Sequence, residues 1–440
     1  MSVTIEKRPS GRKNTKPLVL FVPALAAVAC GFMALLSLRL ANSPVWDDYV
    51  FSFMILFAAV IGVVGLFGLV VPNSVPPAVR SLVASTAFLV GVGILMQHRV
   101  KGIQWNALTV SDFGYLCGIP LAMLSAVFLK QGRYRFLSRF GAIGALVSIV
   151  GLAALIVVGT RFRGAIFYPG RMTPTELLKP ILALFVAGCF MSVASRPKRS
   201  SRSQTPVIVW GWYAAIWGAL MLLLAYQRDL GMILILNAIL GGVAFVALRR
   251  YGVAIAGAII AALTIAAVFT FAPHARHRFD AWLDPFSSAT GKGWQVLQSL
   301  SAFYNGGLLG TGLGEGSPQA IPVASSDFIY ATIGEELGLL GCALVLAVFG
   351  VLLSAGYRIA SECKEPFGQL LAVGLVTGLA TQVILNVGGV TKAIPMTGVP
   401  LPFVSHGGMN LIVSFLMVGV LVAIGIPVNK PRARSKKSRS

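Results

Sequence analysis

The stretch DFIYATIGEELGLLGCALVLAVFGVLLSAG, residues 327 to 356, decides the fold. The twenty residues that follow Glu336 carry no charged side chain, and about 20 apolar residues are what an α-helix needs to cross a membrane. The stretch therefore predicts a membrane-spanning helix with Asp327, Glu335 and Glu336 near its start. Because acids at such positions are costly, we expect the two glutamates to mark a functional site or to be satisfied by neighbouring helices.

The rest of the chain has the same apolar character. Of its 440 residues, 56% are hydrophobic and only 11% are charged, whereas roughly a quarter of the residues in a soluble domain are charged. The mean hydropathy is +0.82. This composition excludes an ordinary soluble globular protein and indicates an integral membrane protein.

Twelve stretches of the sequence are long and apolar enough to span a membrane, and ten spans are the alternative if two stretches are misread. We therefore predict an all-α polytopic membrane protein with about twelve (10–12) transmembrane helices and a large extracytoplasmic loop. The stretches run approximately over 17–38, 49–72, 80–97, 113–129, 140–159, 174–195, 206–226, 229–248, 252–272, 327–356, 367–390 and 406–428.

The basic residues indicate the orientation of these spans. The chain has 36 Lys and Arg against 14 Asp and Glu, a net charge of +22. In a soluble protein this surplus would suggest binding to nucleic acid, but roughly two thirds of the basic residues fall on one side of a twelve-span topology, as the positive-inside rule requires. We expect both termini in the cytoplasm and no nucleic-acid partner.

The sequence divides into two tails and two membrane regions. We predict basic cytoplasmic tails at 1–16 and 429–440, an N-terminal membrane region of about five spans at 17–159, and a membrane core at 160–428. The core contains a large outer loop, 273–326. Disordered segments are poor in aromatic residues, so the aromatic residues of this loop predict an ordered, partly buried structure against the membrane surface: Trp282, Phe286, Trp294, Phe303 and Tyr304.

Metal and disulfide chemistry is not indicated. The five cysteines contain no C-x-x-C pair, so neither a disulfide framework nor a thiolate metal site is expected. His274 and His277 lie close together, but without a carboxylate or cysteine at ligand spacing an interfacial polar pair is the favoured interpretation.

Three ionisable residues at the ends of predicted spans are candidates for a functional site. Glu176 and Lys179 stand at i, i+3 on one helix face, where they form either an intrahelical ion pair or part of a substrate site. Asp229, in the sequence Gln227-Arg228-Asp229, is either functional or the N-cap of the following helix.

Several ordered motifs accompany these residues. Pro174 to Lys179 reads P-x-E-x-x-K, Gln227 to Gly231 reads Q-R-D-L-G, and the outer loop contains LDP at 283–285 and GGL-x-G-x-GLG at 306–314. The stretch DFIYATIGEELG follows at 327–338, and near the end of the chain come Pro395, Thr397-Gly398, PLPF at 400–403, Ser405 and Gly407-Gly408.

This pattern resembles the SEDS family (shape, elongation, division and sporulation), the FtsW and RodA group of peptidoglycan polymerases. The resemblance runs from about Gly159 to the last span. It implies a glycosyltransferase that polymerises lipid II, an undecaprenyl-diphosphate-linked disaccharide peptide, at the outer face of the bacterial cytoplasmic (inner) membrane during division or cell-shape maintenance. It also implies a class B penicillin-binding transpeptidase and other divisome or elongasome proteins as partners.

The chain departs from the family pattern at informative positions. The N-terminal region has five predicted spans where the family usually has three, and Arg163 is followed by Gly164 instead of Trp. The aspartate generally assigned to catalysis falls at Ser288. Val323 and Ser325 replace a Glu and a His, and His406 stands where the family has Tyr.

The implied reaction needs a general base for the attacking hydroxyl and positive charge for the departing diphosphate. A serine cannot act as the base without a partner base, so Asp284 is our candidate for the catalytic carboxylate, with a turn or cap role before Pro285 as the alternative. No cofactor is certain, and Mg²⁺ or Mn²⁺ is a candidate. The predicted substrate-binding residues are Arg163, Glu176, Lys179, Asp229, Lys292, Lys392 and Ser405.

Two further hypotheses stay open beside the polymerase. One is a scaffold of the division or elongation machinery that retains the fold but has lost catalysis, as Ser288 suggests. The other is a flippase for lipid-linked precursors. A polymerisation assay separates the first hypothesis from both alternatives, and translocation of lipid II in vesicles identifies the flippase.

Overall fold

The computed structural model describes residues 75–101, 110–162, 165–167, 174–194, 207–249, 251–252, 273–288 and 291–427. Both predicted tails and the predicted spans 17–38, 49–72 and most of 252–272 lie outside these residues. The count of twelve spans and the domain boundaries therefore stay predictions.

The described chain is almost entirely helical. Its α-helices are α1 (Pro77–Lys101), α2 (Val110–Leu129), α3 (Gly141–Val158), α4 (Leu178–Ala194), α5 (Val207–Gln227), α6 (Leu230–Leu248), α7 (Pro273–Leu283), α8 (Lys292–Gly306), α9 (Ile329–Glu362), α10 (Pro366–Val390) and α11 (Gly408–Gly425). Short 3₁₀ helices occur at Arg133–Arg139, Pro174–Leu177, Phe286–Ser288 and Pro318–Ala320. An unpredicted two-stranded antiparallel hairpin, β1 (Thr160–Phe162) and β2 (Ala165–Phe167), pairs Arg161 with Ile166.

Six of the described helices are long and apolar enough to cross a membrane: α1, α2, α6, α9, α10 and α11. A seventh span results if Arg133–Arg139 and α3, which meet at 54°, are counted as one broken span. Each of the nine predicted spans that lie mainly within the described residues coincides with one helix. The predicted class, an all-α polytopic membrane protein, is confirmed.

Small residues bring α2 and α11 into close contact. Gly114, Gly118 and Ala122 stand four residues apart on α2 and face α11. At Gly419 of α11, an added Cβ would collide with the Ala122 carbonyl and with Ser125. Small residues at such spacing allow helix backbones to approach closely where the hydrophobic effect does not drive association. This contact joins the predicted N-terminal region to the last span.

The predicted span 327–356 is not one straight helix. α9 begins at Ile329 and leaves helical geometry at Gly338, where φ is 68° and ψ is −170°. The break frees backbone groups at membrane depth, where such groups must be satisfied within the protein. Residues 306–317, which we call the glycine loop, satisfy them through four hydrogen bonds: Thr311 N to Glu335 O (2.9 Å), Gly312 N to Glu336 O (3.1 Å), Leu339 N to Gly307 O (2.9 Å) and Leu340 N to Leu308 O (3.2 Å).

Glycine is required at this junction for two reasons. Gly310 and Gly338 both have positive φ values, which side chains other than glycine rarely adopt. A Cβ on either residue would also collide with the backbone of the other segment. Close packing against α9 therefore explains Gly310 in the GGL-x-G-x-GLG motif.

The large loop is ordered, as its aromatic residues predict. It contains α7, α8 and the glycine loop, and α8 is attached to the end of α10 by a hydrogen bond from Ser299 Oγ to Val390 O of 3.0 Å. The loop lies over one end of the helix bundle, which we call the loop end. α4, α6, α9 and α11 begin at this end and α10 finishes there.

The close packing of α2 and α11 leads to a first prediction. We expect Gly419→Ala to lower the thermal unfolding midpoint in detergent, because overpacking against a helix backbone costs about 1–3 kcal/mol. The matched control is Gly350→Ala in α9, where an added Cβ meets nothing within 4 Å. It should leave the midpoint unchanged or raise it slightly, because alanine favours helix. Equal effects of the two substitutions would contradict the packing explanation.

Candidate functional site

The irregular segment 391–407 occupies the centre of the loop end. Its backbone lacks regular secondary structure, so its carbonyl groups need other partners. Side chains from four helices supply them: Trp282 Nε1 to Lys392 O (3.0 Å), Arg278 Nη1 to Thr397 O (2.7 Å), Asn386 Nδ2 to Val399 O (2.8 Å), Gln382 Nε2 to Pro400 O (2.7 Å), Tyr115 Oη to Phe403 O (2.8 Å) and Gln97 Nε2 to Val404 O (2.7 Å). The segment is thereby held in one arrangement by the surrounding bundle.

A buried polar network lies beneath this segment. Lys179, only 1% exposed, forms an ion pair with Glu176 and donates a hydrogen bond to Gln382 Oε1 at 2.6 Å. Gln382 Nε2 in turn donates to Asn410 Oδ1 at 2.7 Å. The network joins the starts of α4 and α11 to the middle of α10, and the predicted ion pair of Glu176 and Lys179 is present.

Asp229 extends the charged cluster. It is the N-cap of α6, as one of the two sequence interpretations expects, and its Oδ1 accepts a hydrogen bond from Met232 N at 3.0 Å. Burial raises the pKa of Asp229, and the hydrogen bond from Met232 and the charges of Lys179 and Arg278 act in the opposite direction. The cap does not exclude a second role, because the carboxylate lies within electrostatic reach of Glu176 and Lys179.

Arg278 connects the outer loop to the same cluster. In addition to Thr397 O, it donates to Met396 O at 3.3 Å, and it lies beside Asp327. Burial lowers the pKa of Arg278, while Asp327 and Asp229 raise it. An arginine still remains cationic at neutral pH, so α7 brings a fixed positive charge to Asp229 and Asp327.

Ser405 has a structural contact in this site. Its side chain is fully buried, and its Oγ donates to Ser326 O at 2.6 Å and accepts a hydrogen bond from Leu401 N at 2.7 Å. His406 follows, with its backbone N 2.7 Å from Ser325 O and its Nδ1 in contact with Ser111 Oγ. Substrate binding by Ser405 stays a prediction, and its hydroxyl is engaged in holding the segment to residues 325–326.

Asp284 lies at the exposed end of α7. Its Oδ1 accepts hydrogen bonds from Phe286 N (3.1 Å) and Ser287 N (3.3 Å), which is the turn role that the sequence left as the alternative. Although the carboxylate accepts these two hydrogen bonds, the residue remains exposed to solvent. Ser288, at the position of the family aspartate, ends the 3₁₀ helix that Asp284 caps.

The structure brings some of the predicted site residues together. Glu176, Lys179 and Asp229 form one cluster, and Lys392 lies in segment 391–407, where its carbonyl accepts a hydrogen bond from Trp282. Arg163 lies outside the described residues, as do the side chains of Lys292 and Ser288. In the described part of the chain, no three His, Cys, Asp or Glu residues are arranged to hold a metal ion.

Sequence reasoning missed two members of the polar network, Gln382 and Asn410. The site was predicted from ionisable residues at the ends of spans, whereas both of these side chains are neutral amides. Their signal was available, because each is an amide in a stretch of otherwise apolar residues. Arg278 is also absent from the predicted site residues.

The pKa of Asp229 leads to a second prediction. Because the folded protein raises this pKa above its ordinary value of 3.8, the native state binds the proton more tightly than the unfolded chain, and the carboxyl lowers stability as the pH rises through the folded pKa. Asparagine caps a helix as well as aspartate does but does not ionise. We therefore expect Asp229→Asn to match the parent protein near pH 4 and to become relatively more stable toward pH 7, measured by thermal unfolding in detergent.

Asp229→Ala provides the comparison for the cap. It should be less stable than Asp229→Asn by about 1 kcal/mol across the whole pH range, because it also removes the acceptor for Met232 N. If the relative stability of Asp229→Asn instead decreased toward neutral pH, the carboxylate would be stabilising the fold and the proposed sign would be wrong.

Comparison with known proteins identifies the fold family. Residues 106–429 match the family model described as cell cycle protein, FtsW, RodA and SpoVE. The peptidoglycan glycosyltransferase RodA of Mycobacterium tuberculosis is 32% identical, over 98% of this chain and 94% of the relative. The probable peptidoglycan glycosyltransferase FtsW of Geobacter metallireducens is 34% identical, over 69% of this chain and 80% of the relative.

A solved structure agrees with these relatives. One chain of a peptidoglycan synthase complex, described as coordinating polymerization and crosslinking, superposes with a TM-score of 0.62 and 25% identity, over 78% of this chain and 96% of that chain. The family model covers most of the sequence and the RodA relative aligns with nearly all of it, so this chain belongs to the FtsW, RodA and SpoVE family of cell cycle proteins.

Proposed function

We propose that this protein is a peptidoglycan glycosyltransferase that polymerises lipid II at the outer face of the cytoplasmic membrane, in division or cell-shape maintenance. The names of its relatives support this activity. The observation that carries the proposal is the cluster of Glu176, Lys179, Asp229 and Arg278 beneath segment 391–407. These residues come from three separate parts of the chain and meet at the loop end.

The charges at the loop end suit a diphosphate leaving group. Lys179 and Arg278 supply fixed positive charge in a buried setting, where electrostatic interactions are stronger than in water. Both are held by neutral acceptors as well as by acids: Lys179 by Gln382, and Arg278 by the carbonyls of residues 396 and 397. We infer that the diphosphate binds next to this cluster. The side chains of Lys392, Arg163 and Lys292 are predicted to contribute further positive charge from the outer loops.

Asp284 is the general base in this proposal. Both of its hydrogen bonds with backbone amides use Oδ1, so a carboxylate capped in this way can offer its second oxygen to a substrate hydroxyl. Its exposure and its position on the loop that carries Arg278 support this role. A general base contributes about 10²–10⁴-fold to the rate of such a reaction.

Membrane location and partners complete the proposal. The described helices make the protein a multi-pass membrane protein, and we infer an inner-membrane location with cytoplasmic termini from its basic residues. The complex whose chain superposes on this one couples polymerization to crosslinking, which supports a class B penicillin-binding transpeptidase as partner. Mg²⁺ or Mn²⁺ stays the candidate for a divalent cation in the reaction.

The activity is tested with the purified protein, its cognate transpeptidase, fluorescent lipid II, and Mg²⁺ or Mn²⁺. We expect glycan polymer, and we expect Asp284→Asn to slow its formation by about 100-fold or more, because asparagine keeps the turn hydrogen bonds but cannot accept a proton. The matched control is Asp280→Asn, an exposed aspartate one turn earlier on α7, which should retain the parent rate.

A second variant locates the base. Adding Ser288→Asp to Asp284→Asn places a carboxylate at the family position and should restore part of the rate. A complex that forms no polymer in any of these conditions would reject the glycosyltransferase. Polymer formation unaffected by Asp284→Asn would reject Asp284 as the base.

A further inference from the structure

The last turn of α1 places one arginine among the backbone carbonyls of the glycine loop. Arg99 Nη2 donates hydrogen bonds to Gly314 O (2.7 Å) and Gly316 O (3.0 Å). Its Nε lies 2.8 Å from Glu336 Oε1 in an ion pair, in which the arginine side chain is 11% exposed and the glutamate side chain is fully buried. One guanidinium thus contacts the glycine loop and the N-terminal part of α9 together.

This pairing suits arginine and no other side chain. The planar guanidinium presents several N–H donors in a fixed fork, so it can bind a carboxylate and two carbonyl groups at once. Lysine carries the same charge but lacks the fork. A buried ion pair adds little net stability, yet removing one partner is costly because the other charge remains buried.

Glu336 connects the same elements from the other side. Its Oε2 accepts a hydrogen bond from Gly314 N at 3.3 Å, and its backbone O accepts one from Gly312 N. An added Cβ at Gly316 would lie closer than van der Waals contact to both glutamate side chains, 2.7 Å from Glu336 Cγ and 3.2 Å from Glu335 Oε2. The glycine loop is therefore fixed to α9 by backbone hydrogen bonds along one edge and by Arg99 and Glu336 at its far end.

α1 also contacts the second irregular segment of the loop end. Gln97, two residues before Arg99, donates to Val404 O at 2.7 Å and to Tyr115 Oη at 3.0 Å. α1 itself packs along α9 and contacts α11. A single helix thus contacts the glycine loop through Arg99 and segment 391–407 through Gln97.

Arg99 and Gln97 precede the part of the chain that the family model matches, which begins at residue 106. We propose that Arg99 is a positioning residue: the N-terminal membrane region uses it to fix the glycine loop against the break in α9, and this placement is required for the activity of the loop end. Only the rate measurement in its test rests on the proposed glycosyltransferase function.

The test compares four variants of the full-length protein in detergent. Arg99→Gln removes the charge and the fork, Arg99→Lys removes only the fork, and Arg99→Gln with Glu336→Gln removes both charges. The matched control is Arg358→Gln, because Arg358 forms an ion pair of the same type with Glu362 at 2.9 Å, but on the exposed surface of α9 (63% and 49% exposed). Thermal unfolding, hydrogen exchange of amides 307–317 and polymerisation rate are measured for each.

The variants should separate the effect of Arg99 on the unfolding midpoint from its effects on hydrogen exchange and on the polymerisation rate. Arg99→Gln should lower the unfolding midpoint because it leaves Glu336 buried and unpaired, and the double variant should recover most of that loss. In both variants, exchange of the amides of residues 307–317 should rise while α10 and α11 remain protected, and the rate should stay about tenfold or more below that of the parent. Arg99→Lys should recover the midpoint better than the rate, and Arg358→Gln should change nothing.

Two results would overturn the proposal. The first is unchanged hydrogen exchange in residues 307–317 of Arg99→Gln. The second is a double variant that recovers the rate together with the midpoint, since the role of Arg99 would then be stability alone. An inactive parent protein would reject the proposed function instead, and the exchange measurement would then decide the positioning role by itself.

Discussion

Irregular backbone inside a membrane bundle must have its carbonyl and amide groups satisfied by the protein itself, and the loop end depends on this constraint. Two stretches depart from helix there: the break in α9 at Gly338 and segment 391–407. The first is satisfied by the backbone of the glycine loop and the second by side chains from four helices.

The same need for partners within the protein applies to the acidic side chains at the loop end. The chain has only 14 Asp and Glu, and three of those at the loop end have a defined partner. Glu176 binds Lys179, Asp229 caps α6, and Glu336 binds Arg99. Asp284 differs from these three because it is exposed, which leaves its carboxylate accessible to a substrate hydroxyl.

Sequence alone predicted the helices and the local contacts well. Spans follow from the length of apolar stretches, and the cap of Asp229 and the ion pair of Glu176 with Lys179 follow from spacings of three residues. The break at Gly338 was not predicted, because hydropathy does not report φ and glycine is common in spans. Gln382, Asn410 and Ser405 act through partners that are distant in sequence, so their roles required the fold. The ligands of the site, and the roles of Arg163, Lys292 and Lys392 in binding them, stay predictions.

The contact between α1 and the glycine loop also sets an order of assembly. Arg99 precedes Gly314 by 215 residues, and at about 5–20 residues per second a ribosome needs roughly 10 to 40 s to make the intervening chain. During that time α1 is already in place while its carbonyl acceptors and Glu336 do not yet exist, so its arginine must be accommodated by lipid headgroups and water. The glycine loop can therefore reach its final position only late in synthesis, after the N-terminal helices have entered the membrane.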